Sequence, residues 1–282
     1  MDDGLRMVQT RACGAWVLPG DPTCAGVARR LFRRVAGELG REGEAVEDGV
    51  TMVSELAANT LHASQRKPPP VNSELWLYLR GLGSRRELVC KVFDGYRGWR
   101  HGLAPSASRI SAQNTQAVTG RGLQIVQELS RGRWGHHLTR ARLGGRGARG
   151  KAVWFAVPAP LAHARLVDVT GLRAYTLSAD VSATRANERL SARQAARELE
   201  TMLGERGVGG QLVRADEPAS DMSVLSVCRG LTVWCRSGVV SLTTPEGARE
   251  RWNYADLVEV TEQTVRRYEE LELDGNLLAA EA

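Results

Sequence analysis

Glu55, Asn59 and His62 stand at i, i+4 and i+7 within the stretch VSELAANTLHAS, residues 53–64. On a helix they share one face over about 10 Å, roughly opposite Val53, Ala57 and Leu61. A carboxylate, an amide and an imidazole at these spacings stand out among small and apolar neighbours. A solvated polar face would look the same, so the stripe gains meaning from its company. Asp94 ends the run ELVCKVFD and is followed by Gly95 and Gly98, and Gly120-Arg121-Gly122 opens GRGLQIVQELS. Backbone N–H groups at a helix start bind phosphate, and glycine lets the phosphate come close. A Glu–Asn pair on a helix, a strand-end Asp and a Gly-x-Gly helix start, in that order, point together to a phosphate-bearing ligand.

The elements that must position these residues follow from periodicity. Trp16–Leu18 reads as a short strand ending at Pro19-Gly20. Asp21 then suits an N-cap with Pro22 at the first helical position, and apolar residues recur at helical spacing to about Leu39. A second helix runs from about Glu44 to Ala63, with Val46, Val50, Val53, Ala57 and Leu61 as its core stripe. The period then changes to that of strands. ELWLYLR and ELVCKVFD form a hairpin around GLGSR, and RWGHHLTRAR and KAVWFAVP form another around a glycine-rich turn. Between the hairpins lies a polar stretch of about 25 residues without periodicity, a length that suits a lid over a site. Lys151 is read as flanking a strand.

This first domain is assigned to residues 1–160, a linker to 161–172 and a second, small α/β domain to 173–282. The second domain comprises the helix LSARQAARELETMLGERG, an antiparallel meander (GQLVRA, MSVLSVCR, LTVWCRS, VVSLTT) and a final helix, YADLVEVTEQTVRRYEELE. It shows no catalytic constellation and is read as an interaction or dimerisation domain.

The bulk composition narrows the function classes. With 43% hydrophobic and 25% charged residues in 282, the chain is of the soluble globular kind. It has no apolar run of membrane-spanning length and no signal-peptide pattern, so a cytoplasmic protein without membrane contact is expected. The five cysteines are scattered without a CxxC pair, which argues against a disulfide framework or a zinc site. The net charge of +6 comes almost wholly from arginine, since Lys67, Lys91 and Lys151 are the only lysines. These arginines are spread along the chain instead of gathered on one face with aromatics, so direct nucleic-acid binding is not expected.

Taken in order, LPGDPTCAGVARR, VSELAANTLHA, VFDG, GRGLQIVQELSRGRWG and GKAVWF resemble the ATP-binding domain of the GHKL superfamily of gyrase, histidine kinases and MutL. Within it, the resemblance is to the actinobacterial anti-sigma-factor serine/threonine kinases, over about residues 14–158. It implies an α+β fold, a two-layer sandwich whose mixed sheet is covered by helices on one face. It further implies ATP and Mg²⁺ as ligands. Asn59 would hold the metal, Glu55 would be the general base, and Asp94 would accept a hydrogen bond from the adenine amino group. Gly98, Gly120, Arg121 and Gly122 would serve the nucleotide. His62 suits a structural role as well as a catalytic one. The family's first glycine box is Asp-x-Gly-x-Gly, whereas this chain has Tyr96 at the middle glycine.

Two readings stay open. One is an ATP-dependent protein serine/threonine kinase acting on a small anti-anti-sigma-like partner and also holding a sigma factor, with homodimerisation expected from the resemblance. The other is a non-catalytic ATP- or protein-binding regulatory module.

Overall fold

Alternating residues in the first hairpin build the centre of a sheet. β1 (Met7–Thr10), β2 (Cys13–Val17), β3 (Glu74–Arg80), β4 (Glu87–Asp94), β5 (Trp134–Arg140) and β6 (Arg149–Pro158) form six strands in the order β1-β2-β3-β4-β6-β5. β3 and β4 pair from Glu74 opposite Phe93 to Arg80 opposite Glu87, and β4 continues onto β6 from Glu87 opposite Pro158 to Asp94 opposite Lys151. The computed structural model describes residues 7–10, 13–64, 71–82, 85–97, 121–145, 147–159, 190–210 and 212–280. Within them the protein is α+β, with two antiparallel sheets and five α-helices. The 161–172 linker lies outside the described residues.

The sheet is antiparallel throughout, not mixed as the resemblance implied. The chain leaves β4, passes through helix α3 (Gly122–Leu129) and returns as β5, which runs in the same direction as β4. The β5–β6 hairpin then inserts β6 between them, so every hydrogen-bonded neighbour is antiparallel.

Helices α1 (Cys24–Glu38) and α2 (Glu44–Ser64) cover one face. Val27, Leu31, Phe32 and Val35 of α1 and Val50, Val53, Leu56 and Ala57 of α2 share one buried cluster with Leu75, Leu77, Leu88, Cys90, Val92 and Phe155 of the sheet. Burying a side chain of this kind contributes about 1.5–3 kcal/mol. The start of α1 differs slightly from expectation. The Asp21 carboxylate accepts the Thr23 N–H at 2.8 Å and its hydroxyl at 2.5 Å, so Asp21 forms a turn just ahead of a helix that begins at Cys24.

β7 (Val213–Glu217), β8 (Met222–Cys228), β9 (Leu231–Arg236), β10 (Val239–Thr243) and β11 (Arg249–Asn253) form the second sheet, a meander in the order β11-β10-β9-β8-β7. It carries one strand more than the four anticipated, because the polar RERWN gives no strand-like alternation of apolar residues. Before it lies α4 (Ala192–Glu205), begun by a capping box in which Ser191 and Gln194 bond reciprocally; after it lies α5 (Leu257–Ala280). No helix among the described residues is long and apolar enough to cross a membrane.

The first sheet is also covered on both faces, not on one. Cys13, Ala15, Trp76, Tyr78, Val89, Phe93 and Ala156 join a cluster with α4, the second sheet and α5. This layer is charged. Glu259, Glu262 and Glu269 of α5 are all buried against the first sheet and its neighbours. Glu262 meets Lys91 at 3.3 Å, Arg142 at 2.7 Å and Arg206, while Glu259 accepts from the Tyr78 hydroxyl at 2.5 Å and from Arg80 at 3.5 Å. Burial alone would raise the Glu262 carboxyl, but Arg206, Lys91 and Arg142 together hold it well below the usual range. Buried Glu74 binds the turn after β5, accepting the N–H groups of Arg142, Leu143 and Gly144 at 2.9–3.0 Å and the Trp76 indole N–H at 2.8 Å. Isolated, these charges would be prohibitive to bury; paired and hydrogen-bonded, they are tolerated.

Candidate functional site

The polar stripe of α2 lies where α2 meets α3. Val53, Leu56 and Ala57 are buried on the core side, Glu55 is half-buried, and Asn59 and His62 are exposed. The first residue of α3 sits directly on the stripe. A Cβ placed on Gly122 would fall 2.8 Å from Glu55 Oε2 and 3.3 Å from Asn59 Nδ2. Without a side chain at Gly122, the start of α3 lies close to the carboxylate and amide, and an added Cβ would displace the Glu55 carboxylate. Arg121, exposed at the N-cap position, places no side-chain hydrogen bond on the first turn, and its carbonyl accepts the Ile125 N–H at 2.9 Å. The structure thus brings Glu55, Asn59 and Gly122 together, with Arg121 immediately before Gly122 in the chain. His62 sits in the last turn of α2, where a positive charge would complement the helix dipole.

Asp94 is the last residue of β4 and is buried. Strand alternation sends Leu88, Cys90 and Val92 to the helix-side core, which places Asp94 on that same face. Its carboxylate has partners within the protein. Oδ2 accepts from Lys151 Nζ at 2.7 Å, and Oδ1 accepts the Tyr96 N–H at 3.0 Å. Lys151 Nζ also donates to the Tyr96 carbonyl at 2.8 Å. Lys151 is therefore a strand residue, as expected, but one held in register against Asp94. That link was hidden in the sequence, because the pairing of β4 with β6 is non-local. The signal available was the scarcity of lysine itself.

The turn after Asp94 also explains Tyr96. Among the described residues, the non-glycine positions with positive φ are Arg131, Asp221 and Ser237, so Tyr96 adopts an ordinary backbone conformation. Its N–H and carbonyl are both engaged by the Asp94–Lys151 pair. Gly95 is the position that demands glycine, since a Cβ there would lie 3.0 Å from the Val71 carbonyl oxygen. Gly98 and Gly120 lie outside the described residues.

The donor set is compatible with a magnesium nucleotide. A carboxylate offers about four lone-pair sites, so Asp94 retains acceptor capacity after binding Lys151 and the Tyr96 N–H. Asn59 presents an exposed amide beside the start of α3, where the missing side chain of Gly122 lets the helix start pack against Glu55 and Asn59. No protein-family model matches the chain, and no curated protein matches its sequence.

Proposed function

We propose that residues 13–159 hold Mg²⁺-ATP and that the protein is an anti-sigma-factor-type serine/threonine kinase. Its substrate would be a serine or threonine hydroxyl on a small anti-anti-sigma-like protein, with a sigma factor as a second partner and a homodimer as the working form. The observation that carries this reading is the seating of Gly122 on the Glu55–Asn59 pair, which gathers a proton acceptor, a hard-metal ligand and helix-start N–H groups at one place.

Each residue then has one task. Asp94 receives the adenine amino group, with Lys151 and the Tyr96 N–H holding its carboxylate still. Gly120, Arg121 and Gly122 bind phosphate oxygens through backbone donors and one guanidinium. Asn59 holds the metal through its amide oxygen. When bound, Mg²⁺ offsets the charge that develops on the phosphate oxygens. Glu55 takes the proton of the attacking hydroxyl as its oxygen bonds to the γ-phosphorus, while the bond to the β–γ bridging oxygen breaks and ADP leaves. Such a base contributes about 10²- to 10⁴-fold.

A non-catalytic regulatory module is the second reading. It is favoured by the Lys151–Asp94 pair, which satisfies the strand-end carboxylate from within the protein. Calorimetry with Mg²⁺-ATP on the wild type, Asn59→Ala and Asp94→Ala tests both. Binding that is lost in both variants supports the nucleotide site, and phosphate transfer abolished by Glu55→Ala then separates the kinase from the module. No binding by the wild type up to about millimolar ATP, a free energy near −4 kcal/mol, would sink the nucleotide reading.

A further inference from the structure

We infer that α5 tunes the nucleotide corner through Glu269, a positioning residue that acts on Arg97; the inference rests on the nucleotide reading above. Arg97 closes the turn Asp94-Gly95-Tyr96-Arg97. Two anchors of that turn belong to the first sheet: the Tyr96 N–H on Asp94 Oδ1, and the Tyr96 carbonyl on Lys151. The third crosses to the C-terminal half of the chain, where Arg97 Nη2 donates to Glu269 Oε2 at 3.3 Å.

Glu269 is suited to this task because it is wholly buried and grips both sides of the Asp94–Lys151 pair. Besides Arg97 it receives Arg140 Nε at 2.6 Å and Arg149 Nε at 3.5 Å. Arg149 stands two residues before Lys151 on β6, just as Arg97 stands three residues after Asp94 at the end of β4. One carboxylate on α5 thus ties down the chain next to each partner of the pair. A ligand that needs this turn in one arrangement binds better when α5 is docked, and by linkage it strengthens that docking. Residues 190–280 then act as a regulatory element of the site as well as a cover for the sheet.

The test uses the full chain and three variants: Arg97→Ala, Glu269→Gln and the double substitution. The Arg97 side chain is 35% exposed, so its removal leaves the fold intact, whereas Glu269→Gln leaves Arg140 buried against a neutral amide. Calorimetry with Mg²⁺-ATP should show each single variant weakened on the order of tenfold, with the double variant no worse than the weaker single. Without ligand, hydrogen exchange at the Tyr96 N–H should accelerate in Arg97→Ala while the global unfolding midpoint stays unchanged. Arg97→Lys, which keeps the charge, should recover part of both effects. Wild-type affinity and exchange in Arg97→Ala would overturn the inference, as would fully additive losses in the double variant. Absent ATP binding in the wild type would overturn the nucleotide reading and the tuning of affinity with it, and unchanged Tyr96 exchange would separately dismiss the anchoring role of Glu269.

Discussion

The two faces of the first sheet are buried differently, one by apolar packing and the other by apolar packing that also encloses a layer of paired charges. Toward α1 and α2, Leu75, Leu77, Leu88, Cys90, Val92 and Phe155 meet apolar helix residues, and cohesion there comes chiefly from removing apolar area from water. Toward α5, the same strands present Trp76, Tyr78 and Lys91 to a layer in which Glu259 and Glu262 are neutralised by Lys91, Arg80, Arg142 and Arg206. The first face tolerates any well-packed apolar neighbour. The second accepts a partner that brings carboxylates to particular positions. Apolar packing thus contributes cohesion on both faces, and the paired charges add specificity of docking on the second.

The sharpest way to break this contrast is to remove one partner from the charged layer. Glu262→Ala would strand Lys91, Arg142 and Arg206 in the interior, and equilibrium denaturation should show a loss of about 3–5 kcal/mol. On the apolar face, Leu75→Ala should cost about 3 kcal/mol, and this loss should be the same at every pH at which the protein is folded.

The charged face should in contrast respond to pH through His137. This imidazole is buried, accepts from Lys91 Nζ at 3.2 Å through Nε2 and donates from Nδ1 to the Leu138 carbonyl at 3.0 Å. Burial, and then the Lys91 charge, push it down to about 3. Below the ordinary histidine value near 6.5 the unfolded chain takes up a proton that the folded protein refuses. Stability therefore falls as pH drops from about 6.5 toward 3, by at most about 1.4 kcal/mol per pH unit from this group. His137→Gln should flatten that slope in urea titrations between pH 6.5 and 4.5. The smallest effect is expected outside both faces. Arg33 and Glu47 pair at 2.7 Å in full solvent, and Arg33→Ala should leave the unfolding midpoint where it was.

How far the sequence could be read followed the same division. The apolar stripe of α2 and the strand runs ELWLYLR and ELVCKVFD announced the helix-side core through local periodicity. Tyr78 and Lys91 alternate with apolar residues in those strands and so pass for positions facing water. Nothing near them shows that α5 supplies Glu259, 181 residues beyond Tyr78, and Glu262, 171 residues beyond Lys91. The candidate site was legible for a related reason. Glu55 and Asn59 are one helical turn apart, and Gly122 opens a helix, so residue type and short spacing suffice to single them out. Their meeting at the α2–α3 contact is a tertiary fact, as is the capture of Asp94 by Lys151.

What the amino-acid order determined by itself is whatever depends on neighbours a few residues away. This includes the amphipathic helices, the hairpins, the meander of the C-terminal half, and the chemical types at Glu55, Asn59, Asp94 and Gly122. Tertiary structure alone decided which of these meet and which charges are buried. The insertion of β6 beside β4 and the docking of α5 join residues far apart in the chain, and the free energy of a charge depends on the partners it finds there.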